Sequence, residues 1–223
     1  MSLPDGCAKA FPIRFRCRAR TVVIDIASLY GIVVTIHNTC KGQVSVRRID
    51  ARKLYYGFPV VVLSYQTSDG EWTMTPCSSS YTLGDTLCVG LDSSTTAAQC
   101  IVREGRCTLS VIRPDMIDIV RALGSAHGRS KVASSGVVIS SLPDVWGAYP
   151  QGAQIVFVME VESVQEAHGY AHFRFAIRAR YADDALLEAG GVKPEEVSTL
   201  SYVGDSHRRL LTSSPASMVP DRP

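Results

Sequence analysis

The chain has 223 residues, 46% of them apolar and 20% charged, with a formal charge of +2. This is the composition of an ordinary soluble globular protein with one sizeable core. Lysine and arginine are scattered along the chain, so no footprint for nucleic acid or an anionic membrane stands out. The seven cysteines include no CxxC pair, which excludes a compact zinc pattern and points to a reducing, cytoplasmic setting.

Residues 1–20 are basic and irregular in sequence. Beyond them the alternation Val22-Ile24-Ile26, then Ile32-Val34-Ile36 around a Leu-Tyr-Gly turn, predicts two short strands. Asp25 interrupts this stretch, and its apolar run falls short of the roughly 20 residues of a membrane span, so neither a span nor a cleaved signal is read here. Residues 1–47 are set apart as an amino-terminal extension, 48–211 as the main domain and 212–223 as a flexible tail.

The main domain opens with a long apolar strand, FPVVVLSYQT (58–67), and Asp69-Gly70 supplies a strong hairpin signal. The return strand runs into TMTPCSSSYTLGD (73–85), a row of small residues rich in hydroxyls. TLCVGLD (86–92) reads as a strand, and SSTTAAQCIVREG as a hydroxyl-capped helix start followed by a helix. Another strand, RCTLSVI (106–112), precedes a helix over 114–124 that opens with Pro and Asp and closes with Gly. SAHGRSKVASSG (125–136) is a polar loop and a candidate lid.

Residues 155–182 predict a long hairpin turning at His168-Gly169. Phe173, Phe175 and Ile177 lie on one face and Arg174, Arg178 and Arg180 on the other, where Glu160, Glu162 and Glu166 can pair with them. KPEEVSTL (193–200) reads as a Pro-started helix leading into SYVGDSHRRLL. Mostly short antiparallel strands with two or three inserted helices describe a mainly β (α+β) fold, a β-barrel with helical excursions.

The chemistry in view is limited. His168 and His172 have a helical metal spacing, but four residues of strand separate side chains by about 13 Å, so a turn residue and a surface histidine are the better reading. No GxSxG elbow accompanies Ser78, Ser79 or Ser80, and Cys77 beside a strand is more commonly a small buried thiol than a nucleophile. GSAHGRSK (124–131) places its lysine too late for a phosphate loop, and there is no GxGxxG. Two hydroxyl-rich turns and a Gly-rich loop carrying Arg129 and Lys131 remain. Small residues admit a flat ligand close to the backbone, and hydroxyls and amides ahead of a helix hold phosphate, so the set suits a phosphorylated planar cofactor. Ser and Thr also simply fill caps and strand ends.

Residues 54–111 carry a resemblance in order and without gaps. Tyr-Tyr-Gly-Phe-Pro precedes the first strand, Asp-Gly marks the hairpin, and Pro76 with Ser78-Ser79, Leu83-Gly84-Asp85 and Arg103-Glu104-Gly105 follow. This pattern resembles the flavin reductase-like FMN-binding split-barrel family. The resemblance implies an antiparallel six-stranded split barrel, a homodimer, and non-covalent FMN near the dimer interface. It further implies that Thr75, Pro76, Cys77, Ser78 and Ser79 line the isoalloxazine ring through main-chain contacts. Ser93, Ser94, Thr95 and Thr96 would hold the ribityl phosphate, with charge from Arg129 or Lys131. Thr73 stands where many relatives have asparagine, and Ala97 where a phosphate-binding threonine is common. The implied activity is that of an NAD(P)H-dependent flavin oxidoreductase, passing hydride to flavin and supplying a flavin-dependent monooxygenase. The alternative is a non-catalytic or electron-carrying flavoprotein. A serine or cysteine hydrolase using Ser78 or Cys77 is the reading from a different class.

Overall fold

The computed structural model describes residues 13–17, 20–24, 46–51, 53–126, 131–189, 191–206 and 208–214. The chain divides into two units, 1–50 and 51–223. In the first, β1 (Ile13–Cys17) and β2 (Arg20–Ile24) pair antiparallel. Within the stretch read as irregular, residues 13–17 are extended: the alternating Ile13, Phe15 and Cys17 form a strand opposite the β-branched Thr21-Val22-Val23-Ile24. The second strand expected there, Ile32 to Ile36, lies outside the described residues.

In the second unit, FPVVVLSYQT divides into two strands. β3 (Leu54–Pro59) ends where the Val60 amide donates to the Leu200 carbonyl at 2.7 Å, and β4 (Val61–Gln66) then enters a different sheet. The Asp-Gly turn leads to β5 (Trp72–Cys77), and β6 (Ser80–Leu83) and β7 (Thr86–Asp92) follow. Helix α1 (Thr96–Glu104) is capped by the Thr95 hydroxyl and stopped by Gly105 at φ 68°, a left-handed position that glycine adopts without strain. After β8 (Arg106–Val111), a 3-10 turn at Pro114–Met116 runs into α2 (Ile117–Ser125). Part of the loop expected over 125–136 is helical, as α3 (Lys131–Ser135).

The short strands β9 (Ile139–Ser141) and β10 (Ala148–Pro150) pair with each other. Then comes the expected long hairpin, β11 (Ile155–Ala167) and β12 (Tyr170–Ala182). Its two turn residues, His168 at φ 53° and Gly169 at φ 80°, have the positive angles that a tight hairpin turn demands. Arg178 and Arg174 pair with Glu160 and Glu162 at 2.7 and 3.4 Å, while Arg180 instead reaches Asp85. β13 (Leu187–Glu188) and β14 (Gly191–Val192) form a small ladder. The helix expected over 193–200 is only a 3-10 turn, Pro194–Glu196, because Val197 and Thr199 favour extension. SYVGDSHRRLL supplies the bulk of two strands, β15 (Thr199–Asp205) and β16 (Arg209–Ser214).

Among the described residues all pairings are antiparallel, and the main sheet has seven strands in the order β5-β4-β8-β11-β12-β7-β6, not the six expected. Its outermost strands, β5 and β6, are consecutive in the chain and joined only by Ser78 and Ser79. Three extended peptide steps span at most about 11 Å. The sheet must therefore curl until its two edges meet at that corner, without a ladder closing it into a complete barrel.

The alternation along the strands fills the curl. Val61, Leu63 and Tyr65 of β4, Leu87, Val89 and Leu91 of β7, Leu109 of β8, and Phe173 and Phe175 of β12 form one buried cluster. Ala97, Ala98, Cys100 and Ile101 of α1 plug the same interior, the two alanines permitting close approach. On the outer face Val60, Val62 and Met74 pack with Val120 and Leu123 of α2 and Leu200 of β15. A third cluster joins Val156 and Val158 to Leu142. Among the described residues no helix is long and apolar enough to cross a membrane.

Phe175 is fully buried and stacks on Phe173 with ring centroids 5.6 Å apart. Phe175→Ala should lower unfolding free energy by about 3–5 kcal/mol in urea titrations, and a loss below about 1 kcal/mol would contradict its place in the interior.

Candidate functional site

The free edge of β5 borders a cavity of about 1010 Å³, at the upper end of the roughly 300–1,000 Å³ of small-molecule sites. Its walls come from β5, α1, α2 and α3, with Asp69 and Glu71 of the β4–β5 turn at one end. β5 contributes Trp72, Thr73, Thr75 and Pro76, and the start of α1 contributes Ser94 through Ala97. Gly124 and Ala126 come from the end of α2, and Lys131 and Val132 from α3. Tyr65 and Cys100 floor it from the interior cluster.

Pro76 suits this edge. It lacks an amide hydrogen to offer, and proline is tolerated where a strand has a neighbour on one side only; here that neighbour is β4, with Val62 opposite Pro76. Thr73, Thr75 and Cys77 share the inward row with Tyr65, Leu63 and Val61. Thr75 lies at a junction: its hydroxyl accepts from the Lys131 ammonium at 2.5 Å and is hydrogen-bonded to the Tyr65 phenol. Burial pushes the phenol's pKa up to about 12, and burial also draws the Lys131 ammonium below the ordinary lysine range.

At the other wall, the hydroxyls before α1 differ in availability. Ser94 donates to the Asp92 carboxylate at 2.6 Å, and its amide donates to the same oxygen at 2.9 Å. These bonds, the side-chain one foremost, hold the Asp92 carboxyl below the usual carboxylate range. Thr95 donates to the Asp92 carbonyl at 2.7 Å and accepts from the Ala98 amide at 3.3 Å. Ser94 and Thr95 are thus committed to shaping the turn. Thr96 is exposed, lines the cavity, and among the described residues its hydroxyl has no hydrogen-bond partner.

Of the residues singled out in the sequence, the structure brings Thr75, Pro76, Ser94, Thr95, Thr96 and Lys131 to one cavity. Cys77 points into the core with its thiol accepting from the Ser79 amide at 3.4 Å. Ser79 borders a separate cavity of about 250 Å³ with Tyr81 and His172, and Ser78 lines neither space. Ser93 is outside the lining, its hydroxyl buried without a partner among the described residues. Arg129 lies outside the described residues.

Sequence reasoning missed Tyr65 and Trp72. Tyr65 was legible from the period-2 alternation of β4, which turns it inward beside Leu63. Trp72 packs against Trp146 with centroids 4.9 Å apart, and the Arg106 guanidinium sits 4.1 Å over Trp146, a long-range stack that no local pattern announces.

Among the described residues the cavity offers small residues, unsatisfied helix-start amides, the Lys131 ammonium and, beside the β4–β5 turn, the Asp69 and Glu71 carboxylates. Among the described residues no group of three or more His, Cys, Asp or Glu side chains could hold a metal. Burial pushes the Cys77 thiol up, so its thiolate is scarce near neutral pH and it is a poor nucleophile.

No family model matches the chain, and no curated protein matches it. Solved structures do. The fold is that of the flavin reductase-like split-barrel proteins. Flavoredoxin of Desulfovibrio vulgaris (Miyazaki F) superposes with a TM-score of 0.70 at 16% identity, over 79% of this chain and 97% of that one. An FMN-binding protein from Thermus thermophilus with bound p-hydroxybenzaldehyde gives 0.63 at 16% identity, over 80% and 100%. Nitrilotriacetate monooxygenase component B from Bacillus cereus gives 0.62 at 10% identity, over 73% and 88%. At these identities the likeness is one of fold.

Two outcomes check this description of the site. Thr95→Ala should cost about 1 kcal/mol through loss of the α1 cap, measured by chemical unfolding. In peptide-mapped mass spectrometry, a thiol reagent near neutral pH should modify Cys77 only after unfolding; rapid native labelling there would contradict its burial.

Proposed function

We propose that this chain is an FMN-binding, flavin reductase-like protein that takes hydride from NADH or NADPH. The observation that carries the reading is the cavity itself, walled on one side by the small residues of β5 and on the other by the start of α1, with a lysine between elements. Its size and donor set fit a flat ring bearing a phosphate. The FMN names of proteins with the same fold support the choice of flavin.

FMN, when bound, supplies the hydride-accepting chemistry. The protein's part is to bind, orient and exclude water. Thr75 and Pro76 are small enough for the β5 main chain to approach a ring closely. At α1, the first-turn amides of Thr96 and Ala97 and the Thr96 hydroxyl are placed to hold a phosphate. Thr96 therefore takes the part that a threonine at position 97 would play. Ser94 and Thr95 act indirectly, by fixing the turn that presents those donors. No side-chain acid or base is needed for hydride transfer.

In this reading the protein works as a homodimer in the cytoplasm and passes reduced flavin to a flavin-dependent monooxygenase partner; the shared fold with a monooxygenase component supports that role. An electron carrier that keeps its FMN is the second reading, favoured by the shared fold with flavoredoxin.

The purified protein, mixed with FMN and NADH or NADPH, should bleach the flavin absorbance bands while oxidising the nicotinamide, and a protein that leaves FMN unbound would overturn the proposal. Thr96→Val should weaken FMN about tenfold, the scale of one hydrogen bond to a charged group. It should barely change affinity for riboflavin, which lacks the phosphate.

A further inference from the structure

The position of Lys131 distinguishes two roles for a cation in this cavity. It opens α3, and its ammonium is tied to Thr75 of β5. Helix α1, which presents the phosphate donors, packs against β4, β7, β8 and β11 instead. Lys131 thus belongs to the wall formed by the small residues of β5. Thr75 is itself held from behind by the buried Tyr65 phenol, so the hydroxyl is fixed and the lysine is anchored through it.

Among the described residues the ammonium also has no carboxylate paired with it. Among the described residues the ion pairs join Arg103 to Glu104, Arg113 to Asp183, Arg121 to Asp118, Arg174 to Glu162, Arg178 to Glu160 and Arg180 to Asp85, and none includes Lys131. A lysine has three N–H donors, and Thr75 uses one. A half-buried, partly desolvated cation with donors to spare is an acceptor site for negative charge. It stands beside the strand edge, and the α1 wall already has its own phosphate donors.

We propose that Lys131 is a ring-side cation, donating a hydrogen bond to the electron-accepting ring of bound flavin and stabilising the negative charge that the ring gains on reduction. This rests on the flavin-binding reading above. The electron balance is simple. NAD(P)H loses a hydride, two electrons and one proton, to the flavin ring and becomes NAD(P)+. The neutral ring becomes an anion, its charge shared over the N1–C2=O edge. Lys131 keeps its proton throughout and acts by charge alone. The protein would then bind reduced flavin more tightly than oxidised flavin.

Dissociation constants for FMN and for riboflavin, oxidised and anaerobically reduced, test this in wild type, Lys131→Met and Lys131→Arg. Lys131→Met should weaken reduced FMN and reduced riboflavin alike, by about tenfold or more, and change the oxidised forms less than about threefold. The bound-flavin potential should fall by about 30 mV for each tenfold, as for any two-electron couple. Lys131→Arg should restore most of the preference. The apoprotein of Lys131→Met should melt no lower than wild type, because a desolvated charge has been removed.

A loss confined to FMN and equal in both redox states would make Lys131 a phosphate ligand and overturn the proposal. An unchanged affinity ratio with a lowered apoprotein melting temperature would overturn it in favour of a latch between α3 and β5. Wild type binding neither flavin would sink the flavin reading itself, and this assignment with it.

Discussion

The architecture depends on a covalent constraint of two residues. Ser78 and Ser79 are all that separates β5 from β6, yet these strands are the opposite edges of a seven-stranded sheet. Joining the edges of a sheet this closely forces it to curl, and curling creates an interior that only alternating apolar side chains can fill. The hydroxyl-rich stretch at that joint owes its small residues to this turn as much as to any ligand. Cys77 turns inward to the core, and the Ser79 carbonyl accepts from the Gly90 amide of β7 at 2.8 Å.

The cavity follows from the same constraint. Because β5 is an edge strand, one side of it is free of ladder partners, and that side opens between α1 and the α2–α3 pair. Proline at position 76 keeps the edge from recruiting another strand. α1 can plug the interior because Ala97 and Ala98 are small, which brings its amino-terminal turn to the rim where Thr96 faces the cavity. Alanine at 97 serves packing, and the neighbouring threonine offers the hydroxyl. The placement of Lys131 depends in turn on Thr75, whose hydroxyl is hydrogen-bonded to the buried Tyr65 phenol.

Local physics made much of this legible in the sequence. The Asp69-Gly70 hairpin, the capped α1 and the β11–β12 hairpin at His168-Gly169 each rest on interactions within a few residues, and each is present. The break at Val60 was not legible, since it is made by Leu200, far away in the chain. The short 3-10 turn at Pro194 was over-read as a helix because its opening proline and acidic residues are the usual start signals, while the β-branched residues after it decided the outcome. At the site, residue type alone could not separate hydroxyls that face a ligand from those that bond their own turn. Ser94 and Thr95 spend theirs on Asp92 and Ala98, and that is a matter of geometry. The seventh strand is likewise a property of pairing, which no single segment states.

Taken together, the fold places a lysine, a helix start and a strand of small residues around one space, and the flavin reading joins them in a single ligand. Both tryptophans of the chain, Trp72 and Trp146, stack together, and Trp72 lines that space. Titration of the protein with FMN, followed by tryptophan emission, tests the reading most directly. Quenching should saturate and end at one FMN per chain. Emission that falls only in proportion to added flavin, with no saturation and no change in the flavin's own fluorescence, would contradict it.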